Sequence, residues 1–340
     1  MDKLSPLLEI DGLGVRLPDG QAARPLLDGV TLRVAAGETV GLVGESGSGK
    51  SVACRSVLGL LPAGARTTGE VRVGGRDVLT MDRAELSRLR ARRVAMIYQD
   101  PRASVNPLRR VGDFLTEGLR GAGTPAAVAR ARAEELLDAV GIRDPRGALR
   151  RYPHQFSGGM LQRVVIAAAL AGEPELLVAD EPTTALDVTT QAEIIAILTR
   201  LQAERGTGLL FVTHDLELAS AICDRVYVMY AGRIVETAGT DALFDRPRHP
   251  YTAGLLACTP RIKAGAPAPR PIPGRPVSLA EAPPGCAFAA RCAHALPRCA
   301  QETPVLREIP VLRETSVLRE TPVPGDGRAA CHRAEEGIEL

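Results

Sequence analysis

A glycine-rich loop directly after a short apolar run constrains the fold of this chain more than any other feature. Residues 44–51 read Gly-Glu-Ser-Gly-Ser-Gly-Lys-Ser, and the apolar run 40–43 comes immediately before them. Glycines let such a loop turn its backbone N–H groups toward phosphate oxygens, and a helix that begins there adds the positive end of its dipole. A strand before the loop and a helix after it are the required context. The segment therefore predicts an α/β fold that binds nucleotide phosphates.

Each position of this loop has an expected role. The lysine reaches the β- and γ-phosphates, and the hydroxyl that follows it binds Mg²⁺. These roles fall to Lys50 and Ser51. The predicted ATP-binding residues of the loop are Gly44, Glu45, Ser46, Gly47, Ser48, Gly49, Lys50 and Ser51.

Two carboxylates end a second apolar run. Asp180 and Glu181 follow residues 176–179, a continuous apolar segment that is typical of a buried parallel strand. A carboxylate at this place can hold Mg²⁺, and the next one can orient or deprotonate an attacking water. The alternative is a capped strand end, which the position behind a phosphate loop disfavours.

A second segment of small residues precedes a helical run. Ser157, Gly158 and Gly159 come before residues 160–170, and Gln162-Arg163 follow closely. Small residues at a helix N-terminus suit a phosphate. One chain cannot wrap both loops around the same phosphate if they lie far apart, so we expect a second chain to supply one of them.

Two further polar side chains follow apolar runs. Gln99 comes after residues 94–98, and its amide could bind Mg²⁺ or water. His214 comes after residues 209–213, and its imidazole could hydrogen-bond the γ-phosphate or the attacking water. The predicted catalytic residues are Glu181, His214 and Lys50, and the predicted magnesium ligands are Ser51, Gln99 and Asp180.

Composition excludes some classes of function. The 340 residues include 42 Lys and Arg against 40 Asp and Glu, a net charge of +2 without a long basic run, so we expect no nucleic-acid partner. Residues 1–11 lack the pattern of a secretory signal. The longest apolar run, 164–171, is far shorter than the roughly 20 residues that span a bilayer. A role in transport would therefore require docking on a separate membrane subunit.

The last part of the chain differs in composition. Residues 264–284 are rich in Ala and Pro, and a hexad repeat follows at 303–320. Cys286, Cys292, Cys299 and Cys331 cluster there, at spacings that fit neither a standard ferredoxin run nor a zinc pair. Spacing alone leaves a metal site and unliganded thiols equally open, with His294 and His332 as further ligands of a zinc ion.

Taken in order, these motifs resemble the ATP-binding-cassette (ABC) ATPases over about residues 5–260. Segments 99–107, 152–160 and 249–255 resemble the oligopeptide/dipeptide importer branch, which also handles nickel and other small solutes. The resemblance implies an α/β P-loop core with an N-terminal antiparallel β-subdomain and a helical subdomain at about 100–170. It places the ATPase domain at 1–260 and a small cysteine-containing extension at 261–340.

The same resemblance implies residue roles. Glu181 would be the catalytic base, His214 the switch histidine, and Gln99 would face the membrane subunit. Ser157, Gly158, Gly159 and Asp187 would contact the ATP and the dimer interface of a second cassette. Cofactors would be ATP, Mg²⁺ and a [4Fe-4S] cluster on Cys286, Cys292, Cys299 and Cys331.

The resemblance also implies partners, a location and a function. The partners would be a second ABC ATPase subunit, identical or paralogous, two transmembrane permeases and, indirectly, a substrate-binding protein. The chain would lie peripherally on the cytoplasmic face of the plasma membrane and power the import of peptides or similar small solutes. The alternatives are import of nickel or another solute, an exporter subunit, and a soluble ABC ATPase.

One departure from the family concerns the nucleobase. Members usually stack adenine on an aromatic residue before the phosphate loop, but no Phe, Tyr or Trp precedes Tyr98. We expect Leu17 or Arg16 to cover the base instead, with weak discrimination between ATP and GTP.

Overall fold

The computed structural model describes residues 6–19, 22–184, 186–259, 268–308 and 327–335. Within these ranges the strands are β1 (Leu8–Asp19), β2 (Ala22–Val34), β3 (Thr39–Val43), β4 (Arg66–Val73), β5 (Arg76–Asp77), β6 (Val94–Ile97), β7 (Leu176–Asp180), β8 (Gly208–Thr213), β9 (Arg225–Tyr230), β10 (Arg233–Gly239), β11 (Arg307–Glu308) and β12 (Gly327–Ala329).

The helices lie between and after these strands. They are α1 (Lys50–Val57), α2 (Arg83–Arg92), α3 (Val111–Gly121), α4 (Ala126–Ala139), α5 (Pro145–Ala148), α6 (Gly158–Leu170), α7 (Val188–Arg205), α8 (Leu216–Ile222), α9 (Thr240–Asp245), α10 (Pro250–Cys258) and α11 (His332–Glu335).

A four-stranded antiparallel sheet forms the N-terminal part, in the order β2-β1-β4-β5. In β2 the side chains of Val30, Leu32 and Val34 are fully buried, whereas the residues between them face away from the core. This alternation is what a sheet with one buried face requires. The predicted antiparallel β-subdomain is therefore present.

A second sheet has the order β11-β12-β10-β9-β3-β8-β7-β6. Strands β9, β3, β8, β7 and β6 are parallel, whereas β10, β12 and β11 continue the sheet in antiparallel pairs. Strands β9 and β10 form a hairpin, and Ala231 and Gly232 at its turn both have positive φ, 44° and 72°. Helices and parallel strands together confirm the α/β class.

The parallel strands explain where the polar residues gather. Strands β3, β7 and β8 are buried along their whole length. Their pairing puts Val43 opposite Thr213 and Asp180 opposite Val212, so the strands end at one edge. Ligands of open α/β sheets bind at this carboxyl edge. The glycine-rich loop follows β3, Glu181 follows β7 and His214 follows β8, so all three lie at this edge.

Helices α3, α4 and α6 pack on one another and form the helical part. The apolar pattern predicts that Val128, Leu136, Leu137 and Val140 share a buried face of α4. The last three are buried, but Val128 is exposed, and Ala129 and Ala133 take the buried positions instead. Small alanines allow α4 to approach its neighbours closely, which a pattern of large apolar residues does not reveal.

The C-terminal region is continuous with the cassette. Strand β12 pairs with β10, with Glu236 opposite Ala329, so residues beyond 260 extend the same sheet. The domain boundary near 260 stays a prediction, and most of the hexad repeat lies outside the described residues. In the part of the chain that the structure describes, no helix is long and apolar enough to cross a membrane.

Candidate nucleotide-binding site

The loop 44–51, called the phosphate loop below, needs its glycines for steric reasons. A Cβ on Gly44 would lie 2.2 Å from the carbonyl oxygen of Met229, and one on Gly49 would lie 2.7 Å from a methyl of Leu27. Gly49 also has a φ of 108° at the start of α1. The backbone therefore turns tightly against β9 and β2, and a side chain at either glycine would prevent this close approach.

Lys50 points back over the loop. Its Nζ donates hydrogen bonds to the carbonyl oxygens of Gly44 (2.6 Å) and Glu45 (3.0 Å) and lies 3.9 Å from Oε1 of Glu181. The side chain is buried, and burial lowers the pKa of Lys50 while the carboxylates of Glu181 and Asp180 oppose that shift. A desolvated ammonium at this place is a strong electrostatic partner for a phosphate.

The donor set around Ser51 fits Mg²⁺. The hydroxyl of Ser51 donates to Oδ1 of Asp180 at 3.1 Å, and Asp180 is only 3% exposed. Burial raises the pKa of Asp180, so a cation beside this carboxylate would offset its desolvation. Hard oxygen ligands of this kind are those that Mg²⁺ prefers. With the amide of Gln99 nearby, Ser51 and Asp180 could hold the ion that neutralises β- and γ-phosphate oxygens.

Glu181 is the centre of the site. Its Oε2 accepts hydrogen bonds from Nε2 of Gln99 (3.0 Å) and from Oγ1 of Thr184 (2.9 Å), and Nδ1 of His214 lies 3.4 Å away. The backbone of Glu181 has a φ of 48°, a strained value for a non-glycine residue. The structure therefore brings together Lys50, Gln99, Glu181 and His214, as predicted, and adds Thr184, which no motif in the sequence indicated.

A cavity of about 700 Å³ opens beside these groups. Residues of the phosphate loop line it together with Gln99, Glu181 and His214. Arg24, Pro25, Leu26, Leu255, Ser278 and Leu279 also line it, and they are called the base wall below. We expect a nucleotide whose phosphates lie on the loop to place its base against the base wall.

That Leu17 or Arg16 covers the base stays a prediction. Leu17 and Arg16 do not line the cavity in the described structure, but they pair across β1 and β2 with Arg24 and Pro25, which do. Leu279 of the C-terminal region is the part of the wall that sequence reasoning missed. A Cβ on Gly232 would lie 2.9 Å from Leu279, so this leucine packs on the hairpin turn next to the loop.

The segment 157–159 lies elsewhere. None of Ser157, Gly158, Gly159 and Asp187 is among the described residues that line the cavity. Ser157 caps α6 by accepting the N–H of Met160, and a Cβ on Gly159 would lie 2.5 Å from a methyl of Thr190. Asp187 caps α7 through the N–H and hydroxyl of Thr190, and these bonds lower its pKa. The two loops therefore do not enclose one nucleotide within this chain.

The four clustered cysteines come together, but not as a metal site. The pKa of Cys286 is raised to about 11, mainly by burial and also by the charges of Cys299, Cys331 and Cys292. Burial also raises the pKa values of Cys292 and Cys331. Among the described residues, no group of three or more His, Cys, Asp or Glu side chains is arranged to hold a metal ion. The structure therefore does not support the predicted [4Fe-4S] cluster or the zinc alternative with His294 and His332.

Comparison with known proteins agrees with this geometry. A family model described as ABC transporter matches residues 27–184, and one described as oligopeptide/dipeptide transporter, C-terminal region, matches residues 235–299. The oligopeptide transport ATP-binding protein OppD of Escherichia coli K12 is 44% identical over 302 residues, which cover 88% of this chain and 89% of that protein. This chain belongs to the ABC transporter family, in its oligopeptide/dipeptide branch.

Two further relatives define how far the similarity extends. OppD of Mycobacterium tuberculosis H37Rv is 44% identical over 98% of this chain, which spans about half (52%) of that longer relative. Among solved structures, the ATP-binding cassette MJ0796, a dimer in a post-hydrolysis state with ADP and Pi, superposes with a TM-score of 0.62 at 28% identity. The match covers 68% of this ABC subunit and 98% of that cassette, which confirms the cassette fold.

Proposed function

We propose that this chain binds and hydrolyses ATP to power import of di- and oligopeptides, or similar small solutes, through an ABC transporter. The observation that carries the proposal is the convergence of Lys50, Gln99 and His214 on Glu181 beside the phosphate loop. The similarity of the chain to oligopeptide transport ATP-binding proteins, across both the cassette and the C-terminal region, supports a peptide substrate.

In this proposal the residues of the site divide the work of phosphoryl transfer. Lys50 and the loop amides bind the β- and γ-phosphates, and Ser51 and Asp180 hold the metal ion. Glu181 accepts the proton of, or orients, the attacking water, while Gln99 and Thr184 fix its carboxylate and His214 contacts the γ-phosphate. Catalysis of this kind consists mostly of positioning and of charge stabilisation in a dry site.

A second cassette completes each site. Because residues 157–159 lie outside the cavity of their own chain, they are free to close on the phosphate loop of a partner. Val188, directly after Asp187, is 81% exposed, which suits a residue that another subunit covers. The partner is an identical chain or a paralogue. This chain carries both the phosphate loop and the segment 157–159, so two copies suffice for head-to-tail closure.

A groove next to Gln99 suits the membrane partner. It has a volume of about 410 Å³ and is lined mainly by apolar side chains between β6, α3 and α6, including Tyr98, Phe114 and Leu119. Tyr98 directly precedes Gln99, and Leu108 of the same loop is 85% exposed. We propose that a cytoplasmic loop of each of two permease subunits docks here, which places the chain peripherally on the cytoplasmic face of the membrane.

Uptake in cells tests the substrate. A strain that lacks the gene is complemented with the wild-type chain or with Lys50→Ala, and uptake of a labelled dipeptide, a labelled pentapeptide and ⁶³Ni²⁺ is measured. The proposal predicts peptide uptake with the wild type alone. Uptake of nickel but not of peptides would assign the chain to the nickel alternative, and efflux from inverted vesicles without uptake would assign it to an exporter.

Purification from membranes tests the partners. Tagged wild-type chain, extracted in mild detergent, is expected to bring down two permease subunits and a second cassette. Recovery of the chain alone, together with ATPase activity in the soluble fraction, would instead support the soluble ABC ATPase.

A further inference from the structure

Arg291 connects the C-terminal extension to the phosphate loop. Its Nη1 lies 2.7 Å from Oε2 of Glu45 and its Nη2 lies 3.0 Å from Oε1, a two-pronged ion pair across 246 positions of sequence. The arginine side chain is 5% exposed and the glutamate side chain 23% exposed. Nε of Arg291 donates to the carbonyl oxygen of Pro273 at 2.9 Å, which fixes the orientation of the guanidinium. Bidentate pairs of this kind are the strong ones.

Glu45 is held at its backbone as well. Its N–H donates to the hydroxyl of Tyr251 at 2.8 Å, and its carbonyl oxygen accepts from Nζ of Lys50 at 3.0 Å. The ring of Tyr251 packs against Tyr230 and Phe288, with centroids 4.7 and 5.3 Å apart. Phe288 also belongs to the extension. The second residue of the phosphate loop is therefore fixed on both its backbone and its side chain.

The charge of Glu45 makes this contact matter for the nucleotide. Glu45 lines the cavity in which a triphosphate would bind, and an unpaired carboxylate there would repel it. The guanidinium of Arg291 compensates that charge at hydrogen-bond distance. It also contacts the hydroxyl of Tyr230 at 3.4 Å, so the extension keeps the compensating charge in a buried, rigid place.

We propose that Arg291 is a positioning residue of the nucleotide site, through which the C-terminal extension holds Glu45 away from the phosphates and makes the loop competent for ATP. This inference rests on the proposed ATP binding. It goes beyond it by giving the extension a direct role in nucleotide affinity: displacement of Arg291 by movement of the extension would weaken ATP binding.

The test compares nucleotides that differ in charge. Dissociation constants for Mg-ATP, Mg-ADP and AMP are measured by calorimetry on the full chain as wild type and as Arg291→Gln. Arg291→Gln is expected to weaken Mg-ATP binding roughly tenfold, which corresponds to about 1.4 kcal/mol, to weaken Mg-ADP binding less, and to leave AMP binding within about twofold.

Three variants separate charge compensation from loss of structure. The double variant Arg291→Gln with Glu45→Gln should regain ATP affinity to within about threefold of wild type, because the unpaired carboxylate is gone. Arg291→Lys should be intermediate, since it keeps the charge but not the fork. The control, Arg93→Gln, breaks another bidentate pair, with Glu175, away from the cavity and should not change ATP affinity.

The outcomes are distinct. An Arg291→Gln chain that binds ATP as wild type does would overturn the inference, as would equal weakening for all three nucleotides or a double variant no better than the single one. Failure of the wild-type chain to bind ATP would instead overturn the proposed function. Thermal unfolding without nucleotide shows whether each variant is folded.

Discussion

The replacement Glu181→Gln hardly changes the shape of the side chain, but it removes the negative charge and the ability to accept a proton. The side chain is 15% exposed, and its Oε2 accepts from Gln99 and Thr184 while Lys50 lies 3.9 Å from Oε1. Glutamine keeps the volume and one acceptor, but it cannot take a proton. We therefore expect the variant to fold and bind Mg-ATP at least as tightly as wild type, because one negative charge near the phosphates is lost.

The rate should fall much more than the affinity. A positioned general base contributes on the order of 10²–10⁴-fold to a rate, so the hydrolysis rate of Glu181→Gln should fall at least about a hundredfold, or roughly 2.7 kcal/mol in activation free energy. Single-turnover release of labelled phosphate from bound ATP measures this step. Glu175→Gln, a change at an exposed carboxylate paired with Arg93, is the matched control. A rate within about threefold of wild type would remove Glu181 from its proposed role.

Two other properties follow from the structure. Among the described residues that line the cavity, Pro25, Leu26 and Leu279 are available to the base and none is aromatic, so the dissociation constants of Mg-GTP and Mg-ATP should lie within roughly tenfold of each other; competition binding that shows a hundredfold preference for ATP would refute this. Burial raises the pKa of Glu236 from 4.5 to about 7, so the folded state binds this proton more tightly than the unfolded state does. The corresponding stability is complete below about pH 4.5 and declines by roughly 3 kcal/mol as the pH rises to about 7. Urea unfolding at a series of pH values should show this decline in the wild type and not in Glu236→Gln, and an unchanged decline in that variant would contradict the assignment.

The sequence predicts for a physical reason that certain polar side chains gather at one edge of the sheet. Gln99, Glu181 and His214 each follow an apolar run, and parallel strands place their carboxyl ends at one edge of a sheet. Local pattern and a general rule of topology were sufficient to bring these residues together. The sequence did not indicate Thr184, because a threonine in a loop follows no spacing that marks it as part of a site.

Long-range contacts could not be predicted in the same way. Arg24 lines the cavity, whereas Leu17, its partner on the neighbouring strand, does not. Neither segment alone encodes which of the two strands faces the cavity. The ion pair between Glu45 and Arg291 joins distant positions without any repeated pattern. The cysteine spacing indicated a shared region, which the structure contains, but spacing says nothing of how the thiols are oriented.

The proposed function depends most on closure of the phosphate loop of one chain against the segment 157–159 of another. The decisive measurement is the mass of Glu181→Gln in solution by light scattering, with and without Mg-ATP. We expect the 36.0 kDa chain to double in mass only with Mg-ATP. Adding Ser157→Arg should abolish the doubling, whereas adding Val128→Arg, at an exposed position of α4, should not. A dimer indifferent to Ser157→Arg would contradict this closure, and a chain that binds ATP and stays monomeric would rule out pairing of two identical chains.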